Sequence, residues 1–205
     1  MPPRSSAGKK CPSSRNASSR TEQGRLRIVG GGWRSRRLCI AAAEGLRPTP
    51  DRAREMVCNW LGGLFEGARC LDAFAGTGAL GLEALSRGAD CATFLELSSP
   101  ACQTLRANLV ELECTRAQVI CTDALSWLTQ YTGQPFDLVF LDPPFGKGFI
   151  ASVSEQLHVS ACLARDAVIY VESERDLPQA LLPQRWKLWK EKAVGQVMCR
   201  LYHVV

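Results

Sequence analysis

A chain of 205 residues, 46% hydrophobic and 22% charged, is predicted to form one globular domain whose core needs no covalent staples. No apolar run reaches the ~18 residues of a membrane span, and the start lacks the regions of a secretory signal, so a soluble cytoplasmic protein is expected. Charge is uneven: residues 1–47 hold 11 Lys and Arg against 2 acids, and the remainder holds 14 against 18.

A basic segment on a slightly acidic body points to a polyanionic partner, most simply nucleic acid; the plain alternative is a solvated basic tail. Residues 1–24 are rich in Ser, Arg and Lys and poor in apolar residues, which predicts disorder. Transit peptides share that composition, but no apolar helical face is present. Asn16-Ala17-Ser18 fits a glycosylation sequon and, without a secretory signal, reads as a chance match.

"RLRIVGGGWRSRRLCIA" places two β-prone runs around Gly30-Gly31-Gly32, which predicts a basic β-hairpin extension over 25–47. The rest, 48–205, reads as one α/β domain. Thr49 or Asp51 is a candidate N-cap with Pro50 in the first turn, and Met56, Val57, Trp60, Leu61 and Leu64 recur at helical spacing. From Arg69 strands alternate with helices: strands near 69–74, 91–96, 117–121, 136–141 and 167–172, helices near 79–87, 99–112, 123–130, 150–163 and 176–182. That alternation predicts a mostly parallel sheet covered on both faces. The final "WKLWKEKAVGQVMCRLYHVV" has two β-prone runs around Gly195, an antiparallel finish at a sheet edge.

Ten cysteines show no C-x-x-C pair and no zinc-finger spacing, so no metal is expected. Cys70, Cys91, Cys121 and Cys199 fall in or beside strand-like runs and read as small buried hydrophobes in a reducing compartment.

Three stretches carry chemistry. In "CLDAFAGTGALGLEALSRGAD", Gly76, Gly78 and Gly81 separate a strand from a helix, and Glu96 ends the next strand. Glycines let a backbone approach a ligand closely, and a strand-end carboxylate suits ribose hydroxyls. The spacing matches a dinucleotide fingerprint, so an NAD-dependent oxidoreductase is one reading. Asp72, four residues before Gly76, is out of place beside a pyrophosphate and suits a cationic ligand such as S-adenosylmethionine. In "QVICTDALSWL", Asp123 is an N-cap, a contact to an adenine amino group, or both. In "FDLVFLDPPFGKGF", a buried strand ends in Asp142-Pro143-Pro144-Phe145. A residue before proline is pushed to extended geometry, and prolines offer carbonyls without N–H groups. The edge is therefore one of acceptors, suited to a flat amine, with Phe145 as a stacking face.

On "LDAFAGTGALG", Glu96 and "DPPF" the chain resembles class I methyltransferases that modify exocyclic amines. On "RIVGGGWRSRRL", "GLRPTPDRAREMVCNWL", "GALGLEALSRGA", "IYVESE" and "EKAVGQVMCRLY" it is similar, from about Arg25 to Tyr202, to the RsmD family of bacterial 16S rRNA guanine-N2 methyltransferases. One departure is "LSSP" after Glu96, where that family has a further Asp or Asn-like residue.

The resemblance implies a Rossmann-like class I fold with a seven-stranded sheet, antiparallel last strand and N-terminal hairpin. It implies S-adenosylmethionine held by Asp72, Phe74, Gly76, Thr77, Gly78, Glu96, Asp123 and Ala124, and amine chemistry at Asp142, Pro143, Pro144 and Phe145. It further implies phosphate contacts from Arg34, Arg36, Arg37 and Arg47, with 16S rRNA in the small subunit or its assembly intermediate as partner of a monomeric enzyme. Rivals are the same chemistry on a DNA adenine or protein amide, the oxidoreductase, and a non-enzymatic RNA-binding protein.

Overall fold

The computed structural model describes residues 24–41 and 51–205. The predicted tail up to residue 23, and Arg47, Thr49 and Pro50, lie outside the described residues. Strands β1 (Arg25–Arg27) and β2 (Arg37–Cys39) pair antiparallel, with Leu26 opposite Leu38. Helix α1 (Asp51–Leu61) follows, then β3 (Arg69–Asp72), α2 (Ala79–Ser86), β4 (Cys91–Glu96), α3 (Ser99–Glu111), β5 (Ala117–Cys121) and α4 (Ala124–Leu128). The chain continues through β6 (Phe136–Leu141), α5 (Phe149–Val159), β7 (Leu163–Glu174), β8 (Trp186–Val194) and β9 (Val197–Val204).

The seven-stranded sheet has the order β5-β4-β3-β6-β7-β9-β8. Strands β3 to β7 are parallel, and β9 is antiparallel to both its neighbours. The final strand therefore lies inside the sheet and β8 forms its edge. From β3 the chain moves outward through β4 and β5, then returns to β6 on the other side. The loops after β3 and β6 diverge there, which opens a crevice at the carboxyl ends of the strands.

Side-chain alternation assigns the two faces. Cys70, Phe94, Leu138, Phe140 and Tyr170 pack with α1, α2 and α3. Leu71, Leu95, Val139, Leu141 and Val171 pack with α4 and α5. By the same period of two, Asp72, Asp142 and Glu172 follow Cys70, Phe140 and Tyr170 on the α1–α3 side. Among the described residues no helix is long and apolar enough to cross a membrane.

Several boundaries differ from expectation. The helix expected over 176–182 is one 3-10 turn, Gln179–Leu181, fenced by Pro178 and Pro183, which remove donors and disfavour helical geometry just before them. Helix α5 stops at Val159, because Ser160 is extended and the chain must turn into β7, which starts at Leu163 rather than 167. An irregularity between Phe136 and Leu138, with Asp166 at positive φ, absorbs the extra residues. Cys70 and Cys199 are buried as expected; Cys91 is half-buried and Cys121, at the end of edge strand β5, is exposed.

The hairpin is anchored to the main domain by polar groups. Glu83, buried on α2, accepts the Val29 N–H at 2.7 Å. Ser86 accepts the Trp33 N–H and donates to the Gly30 carbonyl, and its own carbonyl takes the Gly32 N–H at 2.6 Å. Gly31, at φ 73°, lies so close to Ser86 that a Cβ there would collide with its carbonyl. On α3, Asn108 exchanges two hydrogen bonds with the Cys39 backbone. Arg54, fully buried on α1, donates to the Arg27 carbonyl and pairs with Asp51 at 2.8 Å and Glu83 at 3.9 Å.

Candidate active site

The Gly-rich loop is held at both ends. Ala73 N–H donates to the Phe140 carbonyl and Ala75 N–H to the Leu95 carbonyl, so the loop is tied to β6 and β4 together. Gly76 and Gly78 adopt φ 53° and 76°, a region costly to residues with a side chain. Gly81 is tight for another reason: a Cβ there would run into the Phe94 ring, so its absence lets α2 settle on β4. Gly81→Ala is expected to cost roughly 1–3 kcal/mol by overpacking and to displace the loop. Urea unfolding and ligand calorimetry on one preparation test both effects.

Asp72 is buried under this loop, and its carboxylate accepts the Gly81 N–H at 3.0 Å. Burial pushes it up to about 7; the nearby Asp142 and Glu96 charges add to that, and the N–H groups of Gly81 and Phe74 oppose it. Glu96, at the end of β4, accepts from Gly76 N at 2.8 Å and Ser98 N at 2.6 Å. Ser98 then caps α3 through Ala101 N, and so serves at the position of the "LSSP" departure as the short polar cap of that helix. Asp123 caps α4 by accepting the Ser126 N–H at 2.8 Å, and Ala124 is buried behind it. Thr77 is half-buried in the loop, and Phe74 lies with its ring 5.8 Å from that of Phe149.

Asp142 and Pro143 extend β6 beyond Leu141, which pairs with Val171. Asp142 is half-buried, Pro143 buried, and Pro144 and Phe145 exposed. Gly146 N–H donates to Glu174, which tethers the D-P-P-F loop to the end of β7. Between the two lies a cavity of about 260 Å³, lined by Pro144, Phe145, Phe149, Leu177 and Pro178 among others. For scale, ~150 Å³ takes a benzene-sized ring.

Glu172 on β7 has no counterpart among the sequence-derived candidates. It is 6% exposed and accepts the Tyr170 O–H at 2.8 Å. Burial, reinforced by the Asp142 charge, pushes it up to about 8. The signal was present in "IYVESE": a strand with period two that carries an acid to the same edge as Asp142.

Asp72, Glu96, Asp142 and Glu172 thus converge from four neighbouring strands on one crevice, and backbone glycines form its floor. Burial disfavours so much negative charge unless a cation enters. A ligand with positive sulfur and nitrogen and no phosphate fits this donor set; a pyrophosphate does not. Of the predicted arginines, the described Arg34, Arg36 and Arg37 are not brought to this edge. The hairpin turn is docked on Ser86, at the end of α2 away from Gly78, and an eight-residue helix spans about 12 Å. Arg36 pairs with Glu111 at 3.5 Å and donates to its carbonyl, while Arg34 and Arg37 are exposed.

Three comparisons bear on this site. A family described as Conserved hypothetical protein 95 matches residues 26–203. The chain is 46% identical over 179 residues to Ribosomal RNA small subunit methyltransferase D of Escherichia coli K12, covering 87% of this chain and 90% of that one. It is 45% identical over 183 residues to the protein of the same name from Haemophilus influenzae, covering 88% and 94%. A solved Escherichia coli chain, yhhF, superposes with a TM-score of 0.81 at 45% identity and covers 88% of this chain and 98% of its own.

Proposed function

The chain belongs to the Conserved hypothetical protein 95 family, the RsmD family, and on that premise we propose that it methylates the exocyclic N2 amine of a guanine in 16S rRNA, with S-adenosylmethionine as donor. The protein is a methyltransferase, as its small-subunit rRNA methyltransferase relatives are. The observation that carries the finer reading is the acceptor-only edge of Asp142 and Pro143 beside the glycine loop at the switch of the sheet.

When bound, S-adenosylmethionine supplies a methyl group on a positively charged sulfur. Asp72, Gly76, Thr77 and Gly78, with Phe74, are the residues suited to its methionine end, Glu96 to the ribose, and Asp123 and Ala124 to the adenine. The guanine N2 lone pair is delocalised into the ring, so the amine is a poor nucleophile. The Asp142 carboxylate and the Pro143 carbonyl each accept one of its N–H bonds. That orients the lone pair and favours positive charge as it develops on nitrogen. The proton leaves after transfer, so Asp142 need not be a strong base beforehand. Pro144 stiffens the edge, and Phe145 stacks on the extruded base, worth ~1–3 kcal/mol.

Mass mapping of 16S rRNA from cells lacking this protein tests the reading. One guanine should lose a methyl group and regain it on complementation; an unchanged rRNA methylation pattern sinks it. Calorimetry with S-adenosylmethionine against NAD separates it from the oxidoreductase.

Arg34 and Arg37 are suited to phosphates well away from the target base, so they belong to the flank of the RNA footprint, and Arg36 contributes less because Glu111 already holds it. Charge reversal at Arg34 and Arg37 should weaken RNA binding and flatten its salt dependence by about one to two charges. A salt slope equal to that of the unaltered protein would make the hairpin purely structural.

A further inference from the structure

We propose that Glu172 is a positioning residue for Asp142: it holds one proton beside that carboxylate, donates it as a hydrogen bond, and keeps Asp142 as the single anion facing the target amine. This rests on the methyl-transfer role of Asp142 given above. Asp142 and Glu172 stand one residue beyond the paired Leu141 and Val171, on adjacent parallel strands and the same face of the sheet. Two carboxylates so placed do not both ionise readily. Asp142 is half-buried and open to the crevice, whereas Glu172 is nearly enclosed, so the charge falls on Asp142 and the proton on Glu172.

The surroundings support that division. Among the described residues, the groups facing Glu172 are Asp142 just beyond β6, Asp72 on β3, and Cys199 opposite it on β9. Tyr170, on its own strand, donates to one Glu172 oxygen, which leaves the other to carry the proton. Tyr170 is itself fully buried and held well above its ordinary range by that burial, so it remains a donor. Lys192 lies one strand further out, opposite Cys199, and is exposed. Among the described residues no cation acts on Glu172; the Tyr170 hydrogen bond favours its charged form, and burial, with the Asp142 and Asp72 charges, outweighs it.

Glu172→Gln and Glu172→Leu separate donation from packing. Gln keeps an oxygen for Tyr170 and a permanent N–H for Asp142; Leu keeps neither. With 16S rRNA substrate and saturating S-adenosylmethionine, wild-type kcat should fall at alkaline pH as Glu172 ionises. Glu172→Gln should keep kcat within about threefold of wild type near neutrality and lose that alkaline limb, and Glu172→Leu should lose about tenfold or more at all pH values. An alkaline limb that persists in Glu172→Gln, or equal losses in Gln and Leu, overturns the proposal.

A second measurement needs no substrate. A buried acid with a raised native value binds a proton that the unfolded chain releases, so native stability falls as pH rises between the ordinary carboxylate range and about 8. The thermal midpoint of Glu172→Gln should therefore gain on wild type as pH goes from about 5 to 8. Parallel curves overturn the protonated state of Glu172. If wild type fails to methylate 16S rRNA while this difference is present, the functional reading fails and the carboxyl pair stands.

Discussion

Asp142→Ala is expected to reduce methyl transfer to rRNA by roughly 10²–10³-fold, the scale of removing one group aimed at charge that develops in a transition state. S-adenosylmethionine binding should persist. The crevice proposed for it has a floor built elsewhere: Asp72 tied to Gly81, Glu96 tied to Gly76 and Ser98, and the loop tied to β4 and β6 through Ala73 and Ala75. Asp142→Asn is the sharper form of the test. It keeps the volume and one acceptor but turns an N–H toward a substrate that already presents N–H, so it should be nearly as damaging. Single-turnover transfer and calorimetric binding, measured on the same variants, separate the two quantities. Near wild-type transfer by Asp142→Ala would refute the amine-orienting role.

Glu83→Leu is expected to cost roughly 3–5 kcal/mol of stability, the range for removing one partner of a buried ion pair. Glu83 is 1% exposed, and it joins three elements at once. It accepts the Val29 backbone N–H of the hairpin, lies 3.9 Å from the fully buried Arg54 of α1, and pairs with Arg87 at 3.5 Å. Burial raises its own carboxyl, so the cluster is held by mutual contact rather than by solvation. Leucine would leave the Arg54 charge enclosed with only half-exposed Asp51 as an anion, and a backbone donor without its acceptor. Urea unfolding should show the loss, and proteolysis should attack the hairpin first. A change below about 1 kcal/mol, the size of an exposed pair, would mean that the hairpin docks by its apolar contacts alone.

These two residues mark how far a sequence is legible. Asp142 announces itself because its neighbours are unusual: an apolar strand that ends in two prolines and an aromatic has a chemical meaning wherever it is placed. Glu83 does not. In "GLEALSRGA" it resembles any helical surface acid, and its partners, Val29 and Arg54, are 54 and 29 residues away. Glu172 stands between the two, since strand alternation puts it on the right face, yet only its pairing beside β6 makes it a neighbour of Asp142. The hairpin arginines err in the other direction. Their charge count overstates what is available to RNA, because Arg27 pairs with Asp51 and Arg36 with Glu111.

By itself the sequence determined the alternating α/β class, the position of the glycine loop and the shortage of backbone donors along the D-P-P-F edge, because periodicity, backbone freedom and missing donors are local properties of a chain. Tertiary structure decided what meets what. It put the last strand inside the sheet, fixed the hairpin on Ser86 and Glu83, and set Glu172 beside Asp142 in a crevice of four carboxylates. Those outcomes depend on strand order and burial, which arise from contacts between distant segments and raise the energy of a charge only once water has been removed from around it.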